Sequence, residues 1–346
     1  MPNLGISAEI LARWLHRCGS LAQGEVTNVI IERELETNVS RLIFLAASYT
    51  ADATPRPSQK LIVKSLLRPA SPRDGQTGEV PFYQLVAPLI GTPPLVSCLA
   101  AIEDSDGFVE TIVLEDLSAT HEHPPWPLPP DRVLCETVLD ALIKVHASWW
   151  EAPGLGSTIG KAHTHEDLTN MVHGIAAHIA AFFDFCGDRL NGNARQVYEK
   201  VFGSSLKPWL RLLDPHALTV IHGDAHGWNF LLPASGSGPA FLIDWQLWHI
   251  DAGARELAFL LALHWSADQR RELELPLLRY YHHGLVTGGV SNYSFDELWL
   301  DYRRSAVRNL TMPIIFWLRG HAPEAVWHSL DCALSAYHDL SCDELL

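Results

Sequence analysis

Two short polar clusters hold the residues whose types and spacing could do chemistry. The first is Ile221-His222-Gly223-Asp224-Ala225-His226-Gly227-Trp228-Asn229-Phe230-Leu231, and the second is Phe241-Leu242-Ile243-Asp244-Trp245-Gln246. Apolar, β-type residues precede both: Leu218, Val220 and Ile221 before one, Phe241 to Ile243 before the other. Such flanks predict strands that end where the polar residues begin, so that Asp224, Asn229 and Asp244 project from loops into one cleft. Phosphoryl transfer needs a carboxylate to orient the attacking hydroxyl and accept its proton, hard oxygen ligands for magnesium, and a cation to position the nucleotide phosphates. Asp224 suits the first role, and Asn229 and Asp244 suit the second.

The pattern HGDxHxxN followed by an Ile-Asp-Trp strand resembles the aminoglycoside phosphotransferase and choline kinase superfamily, which has the protein-kinase-like fold. The resemblance implies that Asp224 is the catalytic aspartate and that Asn229 and Asp244 are the magnesium ligands. It implies that His222 braces the catalytic loop. Lys60-Leu61-Ile62-Val63-Lys64 is similar to the strand that carries the ATP-positioning lysine, which would be Lys64. Glu79, in Glu79-Val80-Pro81-Phe82-Tyr83, is similar to the helix glutamate that holds that lysine. Ile112-Val113-Leu114-Glu115-Asp116-Leu117 resembles the hinge, where the backbone of Glu115 and Leu117 would meet the adenine edge. Ala141-Leu142-Ile143-Lys144-Val145-His146-Ala147 is similar to the first helix of the second lobe. The match runs from about Val26 to Leu263, and the text around Phe82-Tyr83 and Leu114 to Leu117 resembles the ecdysteroid-kinase-like and choline-kinase-like branch.

Two departures stand out. The turn Glu36-Thr37-Asn38-Val39-Ser40 lacks the glycine that lets backbone amides approach a phosphate. Thr37, Asn38 and Ser40 could offer side-chain hydrogen bonds in its place. Arg255-Glu256-Leu257-Ala258 puts Glu256 where many relatives carry an aspartate, either in the same bracing role or in a different local packing.

Each candidate also has a plainer reading. Asp224 could be an Asx-turn residue, Lys64 a strand-end lysine reaching water, and Glu79 a first-turn glutamate on a helix dipole. His222 and His226 do not make a zinc site without further ligands, and none stands at a convincing spacing. His146, on an apolar helix, reads as a hydrogen-bonded core residue. Trp245, Trp248, Trp265, Trp299 and Trp317 read first as core, and second as aromatic faces for a quaternary amine or a flat apolar substrate.

The elements that must position these residues fall into two groups. Residues 1–116 predict a nucleotide-binding lobe: a helix from Ser7 to Arg17, then strands at Val26 to Leu35, Val39 to Tyr49 and Lys60 to Leu66. A helix from Glu79 to Leu89 follows, then strands at Leu95 to Ile102 and Phe108 to Leu114. Residues 117–346 predict a catalytic and substrate-binding lobe. It opens with a strong helix, Asp131 to Trp150, whose Leu134, Val138, Leu142, Val145 and Trp149 repeat every three or four residues. Helical text near 167–186 and 193–212, the strand-turn-strand stretch from Leu218 to Trp245, and helices from Ala254 onward complete it. The expected fold class is α+β and bilobal, a small antiparallel sheet with one helix plus a larger mainly helical lobe, with ATP between them.

Composition narrows the rest. The 346 residues are 47% hydrophobic and 19% charged, enough apolar content for a large core. Forty acidic residues against 25 basic ones, a net charge of -15, argue against nucleic-acid binding, which rests on dense Lys and Arg. No apolar run is long enough to span a bilayer, and Met1 to Ser20 does not read as a signal peptide. Six scattered cysteines without CxxC spacing read as reduced thiols of a cytoplasmic protein. The expectation is an ATP- and magnesium-dependent kinase of a small-molecule hydroxyl (aminoglycoside-, choline- or steroid-like), monomeric or homodimeric. The alternatives are an inactive nucleotide-binding pseudokinase acting as scaffold or sensor, and a protein kinase. The latter lacks the HRD and APE text.

Overall fold

The computed structural model describes residues 5–37, 40–66, 78–91, 93–103, 110–125, 129, 131–203 and 216–346. Outside them lie the Asn38-Val39 tip of the first hairpin, most of the 69–78 loop, the expected strand start at Phe108, part of the 124–130 proline cluster, and the end of the 193–212 helix. The chain forms two compact units, Met1–Glu122 with Leu231–Leu247, and His123–Phe230 with Trp248–Leu346.

The first unit is built on strands β1 (Val26–Glu36), β2 (Ser40–Tyr49), β3 (Lys60–Leu66), β4 (Cys98–Glu103) and β5 (Glu110–Glu115). They form one antiparallel sheet in the order β1-β2-β3-β5-β4. Alternation decides its faces, since successive side chains on a strand point opposite ways. Ile43, Leu45 and Ala47 of β2 and Leu61 and Val63 of β3 turn to one side and share a core with Leu11 and Leu15. Those two leucines belong to the helix Ala8–Arg17, started by Ser7, whose Oγ accepts from the Ile10 amide at 3.2 Å. The same alternation sends Lys64 to the opposite face of the central strand.

The next helix comes in three pieces: one α-helical turn at Glu79–Pro81, a π-helical stretch at Phe82–Val86, and α-helix again at Ala87–Ile90. A small sheet joins β6 (His121–Glu122), β8 (Phe230–Pro233) and β9 (Phe241–Leu242). A bridge from Leu95 to Leu242, in which the Leu242 amide donates to the Pro94 carbonyl at 2.9 Å, ties the returning chain down. In this way residues 231–247, and Asp244 with them, join the first unit.

The second unit is mainly helical. Helix Arg132–Ser148, capped by Asp131, buries Val138, Leu142 and Val145 as their spacing predicts. It packs on helix Ala267–Thr287, where small residues allow close approach. A methyl on Gly288 would lie 2.8 Å from the Ala147 Cβ, and one on Gly284 would overlap Ile143. Strand β7 (Leu218–Ile221) pairs with β10 (His249–Ala252), which the sequence pattern does not announce. Helices Phe295–Asn309, Met312–Leu318 and Pro323–Asp339 follow. Among the described residues no helix is long and apolar enough to cross a membrane, and the six cysteines are free.

Candidate active site

In the first unit, three ionisable side chains from distant parts of the sequence meet. The Lys64 Nζ lies 2.6 Å from Glu79 Oε2 and donates to Asp244 Oδ1 at 2.9 Å. Lys64 and Glu79 are buried, with side chains 9% and 5% exposed, whereas Asp244 is 43% exposed. β3 is central, and Lys64 sits opposite Leu42 of β2 and Ile112 of β5, so the sheet holds the lysine stem from both sides. Glu79 begins its helix, and its Oε1 also accepts the Trp245 amide at 3.1 Å. The Trp245 indole stacks on Phe82 with ring centroids 3.9 Å apart. The residue after Asp244 is thus locked to the helix that supplies Glu79. Asp244 itself adopts φ +66, a left-handed conformation that few non-glycine residues take.

Burial alone would lower the Lys64 pKa, but Glu79 and Asp244 outweigh it and raise the value, so the ammonium is charged. Glu79 is raised by burial, helped by the nearby Asp244 carboxylate and opposed by Lys64. One buried cation between two carboxylates leaves an excess of negative charge.

The remaining nucleotide-side candidates are not drawn into this triad. Ser40 pairs with Leu66 and so shares the Lys64 face, but its amide donates to Thr37 Oγ1 at 2.9 Å and its hydroxyl lies 3.1 Å from the same atom. Glu115 sits opposite Leu61, on the other face, and its amide donates to the Ser97 carbonyl. The Leu117 carbonyl accepts the Thr120 and His121 amides, closing a turn.

In the second unit, the loop after β7 carries His222, Asp224 and Asn229. Gly223 takes φ +80, and its amide donates to Glu256 Oε1 at 2.9 Å, while the His222 amide donates to Glu256 Oε2 at 2.8 Å. His222 is fully buried, and its Nδ1 accepts the Asp224 amide at 3.3 Å. The Asp224 carbonyl accepts the His226 amide and the Asn229 Nδ2, both at 2.8 Å. With its nitrogen so engaged, Asn229 has its amide oxygen to offer a cation. The Asp224 carboxylate is about a third exposed and lies 3.6 Å from His226 Nε2.

Glu256 therefore takes the bracing role, one of the two readings open to it. Behind it stands a layer that the sequence did not assign to the site. His146 Nε2 lies 3.2 Å from Glu256 Oε2, and His146 Nδ1 lies 2.7 Å from the Tyr281 hydroxyl. Burial would raise the Glu256 carboxyl, but the hydrogen bonds and the positive fields of His146 and His222 outweigh it and lower the value. Gly253 makes room for this layer, because a methyl there would overlap the Tyr281 hydroxyl and sit 3.1 Å from His146 Nδ1. His146 is a hydrogen-bonded core residue, as expected. Trp245, Trp248 and Trp265 are core residues, while Trp299 and Trp317 are partly buried among Tyr302, Phe182 and Phe185. The one exposed tryptophan among the described residues is Trp228, between Asp224 and Asn229.

The model of the phosphotransferase enzyme family (APH) matches residues 54–293, more than half of the chain. The chain belongs to this family. No curated protein matches the sequence. Among solved structures, an aminoglycoside-phosphotransferase-like protein from Ralstonia eutropha is 13% identical, with a TM-score of 0.57 over 97% of this chain and 98% of that one. A choline/ethanolamine kinase family protein from Mesorhizobium loti is 14% identical, with a TM-score of 0.54 over 90% of each chain. A glucosamine kinase is 12% identical, with a TM-score of 0.54 over 90% of this chain and 94% of that one. At such identities the likeness is one of fold: the α+β protein-kinase-like fold, with an antiparallel sheet before a mainly helical region. Family membership makes this chain a phosphotransferase.

Proposed function

We propose that the protein transfers the γ-phosphoryl group of ATP, with magnesium, to a hydroxyl group of a small molecule. The observation that carries the reading is the buried Lys64 ammonium held between Glu79 and Asp244. A lysine fixed in this way, at the centre of a sheet, is a charge placed to hold nucleotide phosphates. Asn229 and Asp244 fit magnesium by donor chemistry: one amide oxygen and one carboxylate, both hard oxygens. Magnesium is usually held by one or two carboxylates together with substrate phosphates. When bound it would neutralise charge on those phosphates.

The chain's own residues do the rest. Asp224, partly exposed on a loop fixed from behind, orients the acceptor hydroxyl and takes its proton as the new O–P bond forms and the bond to the departing ADP breaks. His222 and Glu256 hold the loop backbone, so Asp224 needs little rearrangement before reaction. Backbone groups of the 115–117 segment meet the adenine, and Ser40 lies on the phosphate side of the sheet.

Asp224→Asn tests the reading. Nucleotide binding, followed by calorimetry, should change less than about threefold, while transfer to any accepted alcohol should fall by about a thousandfold or more. Retained turnover in this variant would refute the assignment of Asp224. Lys64→Met should weaken both binding and turnover.

A further inference from the structure

We propose that Trp228 forms the acceptor-side wall of the site and selects an uncharged, ring-bearing alcohol. The inference takes from the preceding reading only that the acceptor lies beside Asp224. Trp228 occupies the middle of the 3-10 turn Gly227–Asn229, four residues after Asp224 and next to Asn229. The residue is 55% exposed in a protein whose other described tryptophans are all at least partly buried. An exposed indole on a reactive loop contributes little to the core, and offers a large flat surface to a ligand.

The indole does not stand alone. Trp228 meets the His226 ring edge-to-face, with centroids 6.3 Å apart and planes at 87°. His226 meets His264 in the same way at 6.0 Å and 80°, and His264 meets Phe259 at 4.7 Å and 82°. The four rings run from open surface into the core, where His264 and Phe259 are 5% and 4% exposed. The His264 carbonyl accepts from His328 Nε2 at 2.6 Å, which anchors the inner end. Phe259 lies in the π-helical stretch Ala258–Ala262, which continues the helix that carries Glu256. One segment therefore supplies both the brace of the loop and the inner end of the ring series. A wall of rings supported from behind loses little freedom when a flat ligand stacks on it.

Charge decides against an amine. A polyamino sugar or a quaternary amine would want carboxylates around its cationic centres. The buried carboxylates described in this unit already have partners. Glu256 binds the loop amides and His146. Glu274 binds Arg270 and Tyr302, and Asp301 binds Tyr293 and Arg304. Asp251 is held by both Arg308 nitrogens. His264, its pKa pushed well below the ordinary value by burial and then by His226 and His328, presents a neutral ring. Among the described residues, Asp224 meets this ring series through His226, 3.6 Å from its Nε2, and it is the proposed base.

The test compares three acceptor classes with magnesium-ATP: aryl alcohols (phenylethanol, indole-ethanol), choline, and a polyamino sugar. In parallel, indole-ethanol binding to the protein with a non-hydrolysable ATP analogue is measured by equilibrium dialysis. The wild type should favour the aryl alcohols in kcat/KM. Trp228→Ala should raise their KM and Kd by about tenfold or more, with kcat within about threefold, and Trp228→Phe should restore most of the loss. A preference for choline or the polyamino sugar, no aryl-alcohol binding, or binding indifferent to Trp228→Ala would overturn the inference. If Asp224→Asn abolishes transfer while Trp228→Ala changes nothing, the phosphotransferase reading stands and this one falls. If no alcohol accepts phosphate yet dialysis shows binding that depends on Trp228, the aromatic wall stands and the transfer reading falls.

Discussion

Two buried glutamates, one in each compact unit, hold the reactive groups, and their surroundings push them in opposite directions. Glu79 faces one ammonium while a second carboxylate, Asp244, contacts the same ammonium, and it is shifted up. Glu256 faces two backbone amides and a histidine, and it is shifted down. The first cluster carries excess negative charge and suits the arrival of a cation. The second is complete without any ligand and serves to hold a shape. Positioning by charge and positioning by backbone hydrogen bonds thus divide the work between the units.

Breaking the second clamp should have the larger effect on stability. Glu256→Ala leaves the buried His222 amide, the part-buried Gly223 amide and His146 without their acceptor, and should cost about 3–5 kcal/mol in urea unfolding. A cost under about 1 kcal/mol would show that the loop is held some other way. Glu256→Gln keeps the shape but sets an amide NH2 among donors, and should cost roughly 2 kcal/mol. Tyr281→Phe removes only the outer hydrogen bond to His146, and should cost about 1 kcal/mol with a small fall in kcat. Glu79→Gln sharpens the contrast. Lys64 keeps Asp244 as a partner and a neutral group suits the raised carboxyl, so the stability loss should stay below about 1 kcal/mol, with the damage seen in nucleotide affinity.

The pH dependence separates the clamps further. A depressed carboxyl pKa means that the folded state favours the charged form. Glu256 therefore contributes stability above its ordinary value of 4.5, and that contribution is lost as pH falls through the lower folded value. Stability measured between about pH 6 and pH 3 should fall less steeply in Glu256→Gln than in the wild type. Parallel curves would remove the Glu256 carboxylate from the account.

Much of this was legible in the sequence. Alternation in β2 and β3 placed Lys64 opposite the core, because a period of two leaves each strand residue only two directions. The helix Arg132–Ser148 and the loop 222–229 were readable for the same local reasons: periodicity, caps and turn residues. Asp224 and Asn229 are close in sequence, so their proximity within one loop follows from a short chain. Strand β10 was not legible, since the alternation of His249–Ala252 is only four residues long and the strand forms by pairing with β7. The His146–Tyr281 layer and the ring series from Trp228 to Phe259 were hidden for a related reason. Their members lie 135 and 31 residues apart in sequence, and only packing brings them into contact. The sequence by itself determined the periodic elements and the types of reactive residue, because these depend on neighbours along the chain. The tertiary structure decided which acid meets Lys64, which carboxylate grips the loop, and which of many tryptophans stays open to solvent, because burial and pairing are properties of residues that meet only on folding.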